Sequence, residues 1–103
     1  MIYLSNAFSL QMLDLESKPT VTVTPVDAAE VTAADFVSVV GHADTAAVLS
    51  NMLGKDVAYN RVSLRLEEGD ILYVGQVVGG RLPEGSTTLP DGIRINFVRV
   101  DLV

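Results

Sequence analysis

Histidine is the one side chain that exchanges a proton near neutral pH without help from its surroundings, and the 103-residue chain contains a single one, His42. It stands in Val40-Gly41-His42-Ala43-Asp44-Thr45, a loop leading into a segment with helical periodicity. The free N–H groups and partial positive charge of a helix start can hold a phosphate, and a neighbouring imidazole could then serve as general acid or base. A histidine here can equally cap the following helix. Arg81 and Glu84 lie three residues apart in Gly79-Gly80-Arg81-Leu82-Pro83-Glu84-Gly85. Arginine can fork onto a phosphate, and the glutamate can orient a hydroxyl or that arginine. The bland alternative is an exposed surface pair, which stabilises little.

Two weaker groups accompany these. Asn6 and Ser9 fall between a first strand and a first helix, an edge where open α/β sheets place ligand-binding polar groups, although helix capping explains them nearly as well. Asn60-Arg61 offers an amide and a second cation ahead of a strand, or a plain turn. Glu67-Glu68 and Asp70 read as a solubilising turn rather than paired catalytic acids. Phosphate-loop and dinucleotide fingerprints are absent from the sequence. With no cysteine and one histidine, disulfides, thiolate nucleophiles and zinc chemistry drop out, and neither metal nor cofactor is expected.

The elements that must position these residues follow from periodicity. Ile2 to Leu4 reads as a strand, Asn6 to Leu13 as a polar turn and short helix, and Thr20 to Thr24 as a half-buried strand ended by Pro25. Thr32-Ala33-Ala34-Asp35 resembles a capping box opening a helix with Phe36, Val37, Val39 and Val40 on its apolar face. Asp44 to Leu53 is a further helix with Gly54 as its stop. Val62 to Leu66 alternates, Glu67 to Asp70 turns, and Ile71 to Val78 is apolar, which suggests a hairpin. Ile93 to Val100 closes the chain as a strand. The expected fold is a single α/β domain over residues 1–103, with a mixed sheet of about five strands and two or three flanking helices.

Bulk composition narrows the partners. Hydrophobic residues make up 49% of the chain and charged ones 19%, the balance of a folded domain with apolar surface to spare. Seven basic against 13 acidic residues give a net charge of -6, the wrong sign for gathering long nucleic acid. No stretch approaches the roughly 20 apolar residues of a membrane helix, and no signal peptide is visible. The expectation is a cytoplasmic protein without a membrane partner.

Four blocks, Asn6-Ala7-Phe8-Ser9-Leu10-Gln11-Met12-Leu13, Val40-Gly41-His42-Ala43-Asp44-Thr45, Asn60-Arg61-Val62 and Arg81-Leu82-Pro83-Glu84-Gly85, stand in the order and at separations similar to those of the viral ring nuclease family. These are type III anti-CRISPR enzymes of archaeal viruses and phages, with bacterial relatives. The resemblance implies an α/β homodimer that binds cyclic tetra-adenylate in a pocket across the two-fold axis and cleaves it. It implies His42 as the catalytic histidine, Glu84 as the catalytic-site glutamate and Arg81 as the ligand-gripping arginine. Asn6, Ser9, Gln11, Gly41, Thr45 and Arg61 fall at positions it implies for ligand contact. Ala43-Asp44 departs from the family's usual Asp-Ser after the histidine, Pro83 replaces a usual acidic residue, and Gly79-Gly80 replaces a more polar pair.

The implied reaction needs no metal, because a 2′-hydroxyl beside the scissile phosphate can attack in line and leave a 2′,3′-cyclic phosphate. Linear di-adenylate would result, switching off type III CRISPR signalling. The competing expectation is a sponge that holds the cyclic oligonucleotide in the same pocket without cutting it.

Overall fold

The computed structural model describes residues 1–102. In chain order the elements are β1 (Ile2–Ser5), two single turns of 3-10 helix (Leu10–Met12 and Leu15–Ser17), β2 (Val21–Pro25), α1 (Ala28–Ala33), β3 (Val37–Ser38), α2 (Ala43–Leu53), β4 (Ile71–Val78) and β5 (Arg94–Leu102). The five strands form one mixed sheet in the order β2-β5-β4-β1-β3. β1 runs parallel to β3 and β4, while β5 is antiparallel to β4 and β2. The expected α/β architecture with a five-stranded mixed sheet and two helices is therefore observed.

β4 occupies the middle because its sequence tolerates burial on both faces. Leu72, Tyr73, Val74 and Gly75 are all buried, the near-continuous apolar run expected of a strand covered on both sides. Since successive side chains alternate, Leu72 and Val74 join Leu13, Leu66 and Val100 in one apolar cluster. Tyr73 joins Leu4, Val31, Val40, Leu49, Leu53 and Phe97 in the other, beneath the helices. The Tyr73 hydroxyl donates to Glu30 Oε2 at 2.9 Å, tying α1 to the sheet. Burial and the Glu30 carboxylate together push this phenol above its ordinary value, so it remains a donor.

α2 follows from its sequence with little help. Thr45, Leu49 and Leu53, four residues apart, are buried on one face, as a period of 3.6 requires. Gly54 stops the helix at φ 64°, its N–H donating to the Ser50 carbonyl, a left-handed conformation that glycine takes without penalty.

Three local expectations are corrected. First, the segment expected to form a helix through Phe36 to Val40 is extended: Val37 and Ser38 pair with β1, and the Val39 N–H donates to the Leu4 carbonyl at 2.8 Å. β-Branched valines suit a pleated strand, and the helix lies earlier. Asp27 caps it, accepting the Glu30 N–H at 2.9 Å, so Asp27-Ala28-Ala29-Glu30 is the acidic N-terminal signature. Lys55 covers its far end, with Nζ 2.8 Å from the Ala34 carbonyl oxygen and 4.5 Å from the Phe36 ring centroid. Second, Val62 to Leu66 forms no hairpin with β4, because β1 and β5 already occupy both edges of that strand. Third, Asn6 to Leu13 holds only one 3-10 turn, which Ser9 caps and Leu13 ends in extended conformation.

The turn at Glu67 to Asp70 forms as expected and ties down the start of the chain. Asp70 Oδ1 accepts from the Met1 ammonium at 3.0 Å and Oδ2 from the Glu67 N–H at 2.9 Å. Burial pushes the Asp70 carboxyl up, but the Glu67 N–H and the ammonium outweigh it and hold the group below its ordinary value. A carboxyl lowered on folding contributes stability that is present above its unfolded value, about 3.9, and lost as pH falls through the folded one. Urea midpoints of the unchanged protein should therefore fall more steeply below about pH 4 than those of Asp70→Asn. Parallel curves would remove Asp70 from the acid response.

Candidate functional site

The parallel strands β1, β3 and β4 end on the same side of the sheet, and the chain leaving each enters a loop that carries polar residues. Ligands of open α/β sheets gather outside such carboxyl ends. Beyond β1 lies Asn6; beyond β3 lie Gly41 and His42; beyond β4 lies the loop of Gly80, Arg81 and Glu84.

Two of these three loops meet around a pocket of 550 Å³. His42, Asp44 and Thr45 line it from the start of α2, and Gly80, Arg81, Leu82 and Glu84 from the loop opposite, with Val77 at the end of β4. His42, Arg81 and Glu84 are exposed, so each can reach a ligand. The histidine also caps α2. Its Nδ1 accepts the Thr45 N–H at 3.3 Å and lies 3.3 Å from the Thr45 hydroxyl oxygen. A nitrogen that accepts an amide N–H carries no proton, which puts the proton of the neutral ring on Nε2. The capping role and the pocket position thus coincide in one side chain.

Hydrogen bonds from α2 hold the opposite loop in place. Asp44 Oδ1 accepts the Gly85 N–H at 3.3 Å, and the Asn51 side-chain amide donates to the Thr87 carbonyl. The carboxylate also lies in the first turn of α2, where negative charge is favoured by the helix dipole. Gly79 and Gly80 make the turn out of β4, with φ of 94° and 150°.

The remaining sequence candidates divide. Asn6 Oδ1 accepts the Gly41 N–H at 3.1 Å, so Asn6 shapes the loop that delivers His42. Arg61 packs on the same loop: a Cβ placed on Gly41 would lie 3.4 Å from Arg61 Cγ. Asn6, Gly41 and Arg61 therefore form a layer next to His42 without lining the pocket. Ser9 caps the first 3-10 turn, accepting the Gln11 N–H at 3.2 Å. Gln11 lines a different cavity, with Asp14, Glu16 and Arg65. Thr45, which the resemblance implies for ligand contact, is 4% exposed and turned toward the histidine ring.

Residues 2–95, a span that includes every residue of the pocket, match the family model described as STIV B116-like. The chain belongs to the STIV B116-like family. Among solved structures it is similar to B116 of Sulfolobus turreted icosahedral virus (STIV), with a TM-score of 0.79, 26% sequence identity and coverage of 97% of each chain. No curated protein matches it.

One pocket residue of this STIV B116-like chain, Asp44, is not evident from sequence, since its importance rests on Gly85, 41 residues away. A wider cavity of 690 Å³ is lined by Asp14, Lys18, Arg65, Glu67 and Glu68 among others. It holds no histidine, whereas the pocket of 550 Å³ at the start of α2 brings His42 together with Arg81 and Glu84, so that pocket is the candidate site. Among the described residues no three His, Asp or Glu side chains gather as a metal-ligand set, and no helix is long and apolar enough to cross a membrane.

Proposed function

We propose that this STIV B116-like protein is a ring nuclease that cleaves cyclic tetra-adenylate by internal transesterification, with a homodimer sharing the ligand across its two-fold axis. The observation that carries the reading is the convergence of His42, Arg81 and Glu84 on one open pocket from two distant parts of the chain. Within it the 2′-hydroxyl of the ligand attacks the adjacent phosphorus, the bond to the 5′-oxygen breaks, and His42 protonates that oxygen as it leaves. Arg81 balances the charge on the phosphate, and Glu84 orients Arg81 or the sugar hydroxyl. RNA supplies the nucleophile, so the chemistry needs no metal ion.

Charge favours sharing between two protomers. One pocket offers Arg81 against Asp44 and Glu84, a poor balance for a ring of four phosphates. A four-fold ring contains a two-fold axis, so on the axis of a homodimer every cation and every helix start acts twice. Arg61, packed on the loop before His42, adds a second cation within reach of that loop. Destruction of the ring would silence type III CRISPR signalling, a role suited to a family that includes a viral protein.

A sponge is the second reading, favoured by one observation: His42 is engaged as the cap of α2, as a purely structural histidine would be. Incubation of the protein with labelled cyclic tetra-adenylate in EDTA, followed by chromatography, separates the two. The expected product is linear di-adenylate ending in a 2′,3′-cyclic phosphate. Intact ring released on denaturation would establish the sponge, and cleavage only with added divalent metal would point to a different reaction.

A further inference from the structure

The capping bond at His42 has two halves with different chemical properties. A backbone amide can only donate, whereas a hydroxyl donates or accepts. The Thr45 amide nitrogen and hydroxyl oxygen both stand 3.3 Å from His42 Nδ1, and Thr45 is 4% exposed, buried in the first turn of α2. The hydroxyl is thus held where it can meet the ring in either of two states. It can donate to a bare Nδ1, or turn and accept from a protonated one.

We propose that Thr45 is a positioning residue for His42: its amide leaves Nε2 as the nitrogen presented to a ligand, and its hydroxyl accepts Nδ1–H when the ring carries both protons. The proposal rests on the ring-nuclease reading, which requires the imidazole to give up a proton. In the cleavage step the bonds 2′-O–H and P–5′-O break, and P–2′-O and 5′-O–H form. The Nε2 proton goes to the 5′-oxygen, and the proton leaving the 2′-hydroxyl passes to water. The ring enters the step with both protons, its Nδ1–H given to Thr45 Oγ1 in place of the bond Nδ1 accepts from the Thr45 amide, and leaves it neutral with that hydrogen still on Nδ1. Ser, Thr, Asp and Asn are the ordinary helix caps, so a histidine at this position serves stability less well than they do. The threonine three residues on supplies what a histidine cap needs if it is also to hold a second proton.

The test uses the full chain, cyclic tetra-adenylate, and the variants Thr45→Val and Thr45→Ser. Valine keeps the amide and the shape of the side chain but removes the hydroxyl, so kcat should fall about 10- to 100-fold, the worth of one hydrogen bond to a charged group, with KM unchanged. Serine should restore kcat. A long-range proton–nitrogen correlation spectrum of the resting protein should show the proton of the neutral ring on Nε2, and the single histidine makes its assignment unambiguous. Wild-type kcat in Thr45→Val, a serine variant as slow as valine, or a proton resting on Nδ1 would overturn the proposal. Thermal melts identify a misfolded valine variant, in which case Thr45→Ala takes its place under the same criteria. If the unchanged protein leaves the ring intact, the ring-nuclease reading fails and with it the kinetic role of Thr45. The spectrum then still decides whether Thr45 fixes the ring.

Discussion

If the protein is the proposed ring nuclease, His42→Asn is expected to keep the fold while slowing single-turnover cleavage of cyclic tetra-adenylate by about 100- to 10,000-fold, the usual contribution of a general acid. Asparagine is the informative replacement because the proposed proton donor is also an observed helix cap. Its Nδ1 closes the first turn of α2 by accepting the Thr45 N–H, and asparagine is among the strongest residues at that capping position. The variant therefore removes the proton donor and spares the helix. His42→Ala removes both, and should lower stability by about 1 kcal/mol, or roughly 4–8 °C in Tm for a domain of this size. The pair separates chemistry from folding: a large loss of rate in both variants, with a loss of stability only in alanine. Undiminished cleavage by His42→Asn would leave His42 as a structural cap and return the site to the sponge reading.

The residues of the pocket were more legible than the sheet that assembles it. α2 could be read end to end, because its apolar spacing, its start after Gly41 and its stop at Gly54 are local properties of the chain. Arg81 and Glu84 drew attention through a glycine-rich loop, and the loop does face His42. β3 could not be read, since two residues become a strand only by lying beside β1, and nothing in Val37-Ser38 itself encodes that partner. The segment from Val62 to Leu66 failed for a different reason. Leu64 and Leu66 pack on the sheet while Ser63 and Arg65, before and between them, are exposed, and one-sided burial of any extended chain gives the alternation of a strand. The pattern reports which side is covered and says nothing about hydrogen-bonded neighbours. Sequence alone likewise assigned Ser9 and Asn6 to the same polar edge, although one caps a turn and the other accepts the Gly41 N–H. Local chemistry was readable at His42 and Thr45, whose partners lie within one turn of helix.

The loop opposite His42 depends on a glycine whose replacement should cost more than that of any other glycine in the loop. At Gly79 φ is 94°, and a Cβ would lie 2.3 Å from the Gly92 carbonyl oxygen, well inside van der Waals contact and against backbone that cannot rotate away. Gly85 provides the control: its φ is 80° but nothing lies within 4 Å of its Cβ direction. Gly85→Ala should lose only the backbone term, about 1 kcal/mol or a little more. Gly79→Ala bears that term and the collision, and should lose roughly 3 kcal/mol or more in urea unfolding. The collision can be relieved only by parting the two ends of the loop, where β4 leaves the sheet and β5 returns. Arg81 and Glu84 would move with it, and a displacement of about 1 Å in a positioning group can reduce catalysis by around 100-fold. Gly79→Ala is thus expected to lose stability and cleavage together, whereas Gly85→Ala, which strains the loop at the Asp44 contact alone, keeps most of both. Equal stability of the two variants would mean that the close approach of Gly79 to Gly92 does not hold the loop, and that the bonds from Asp44 and Asn51 are enough to keep Arg81 facing His42.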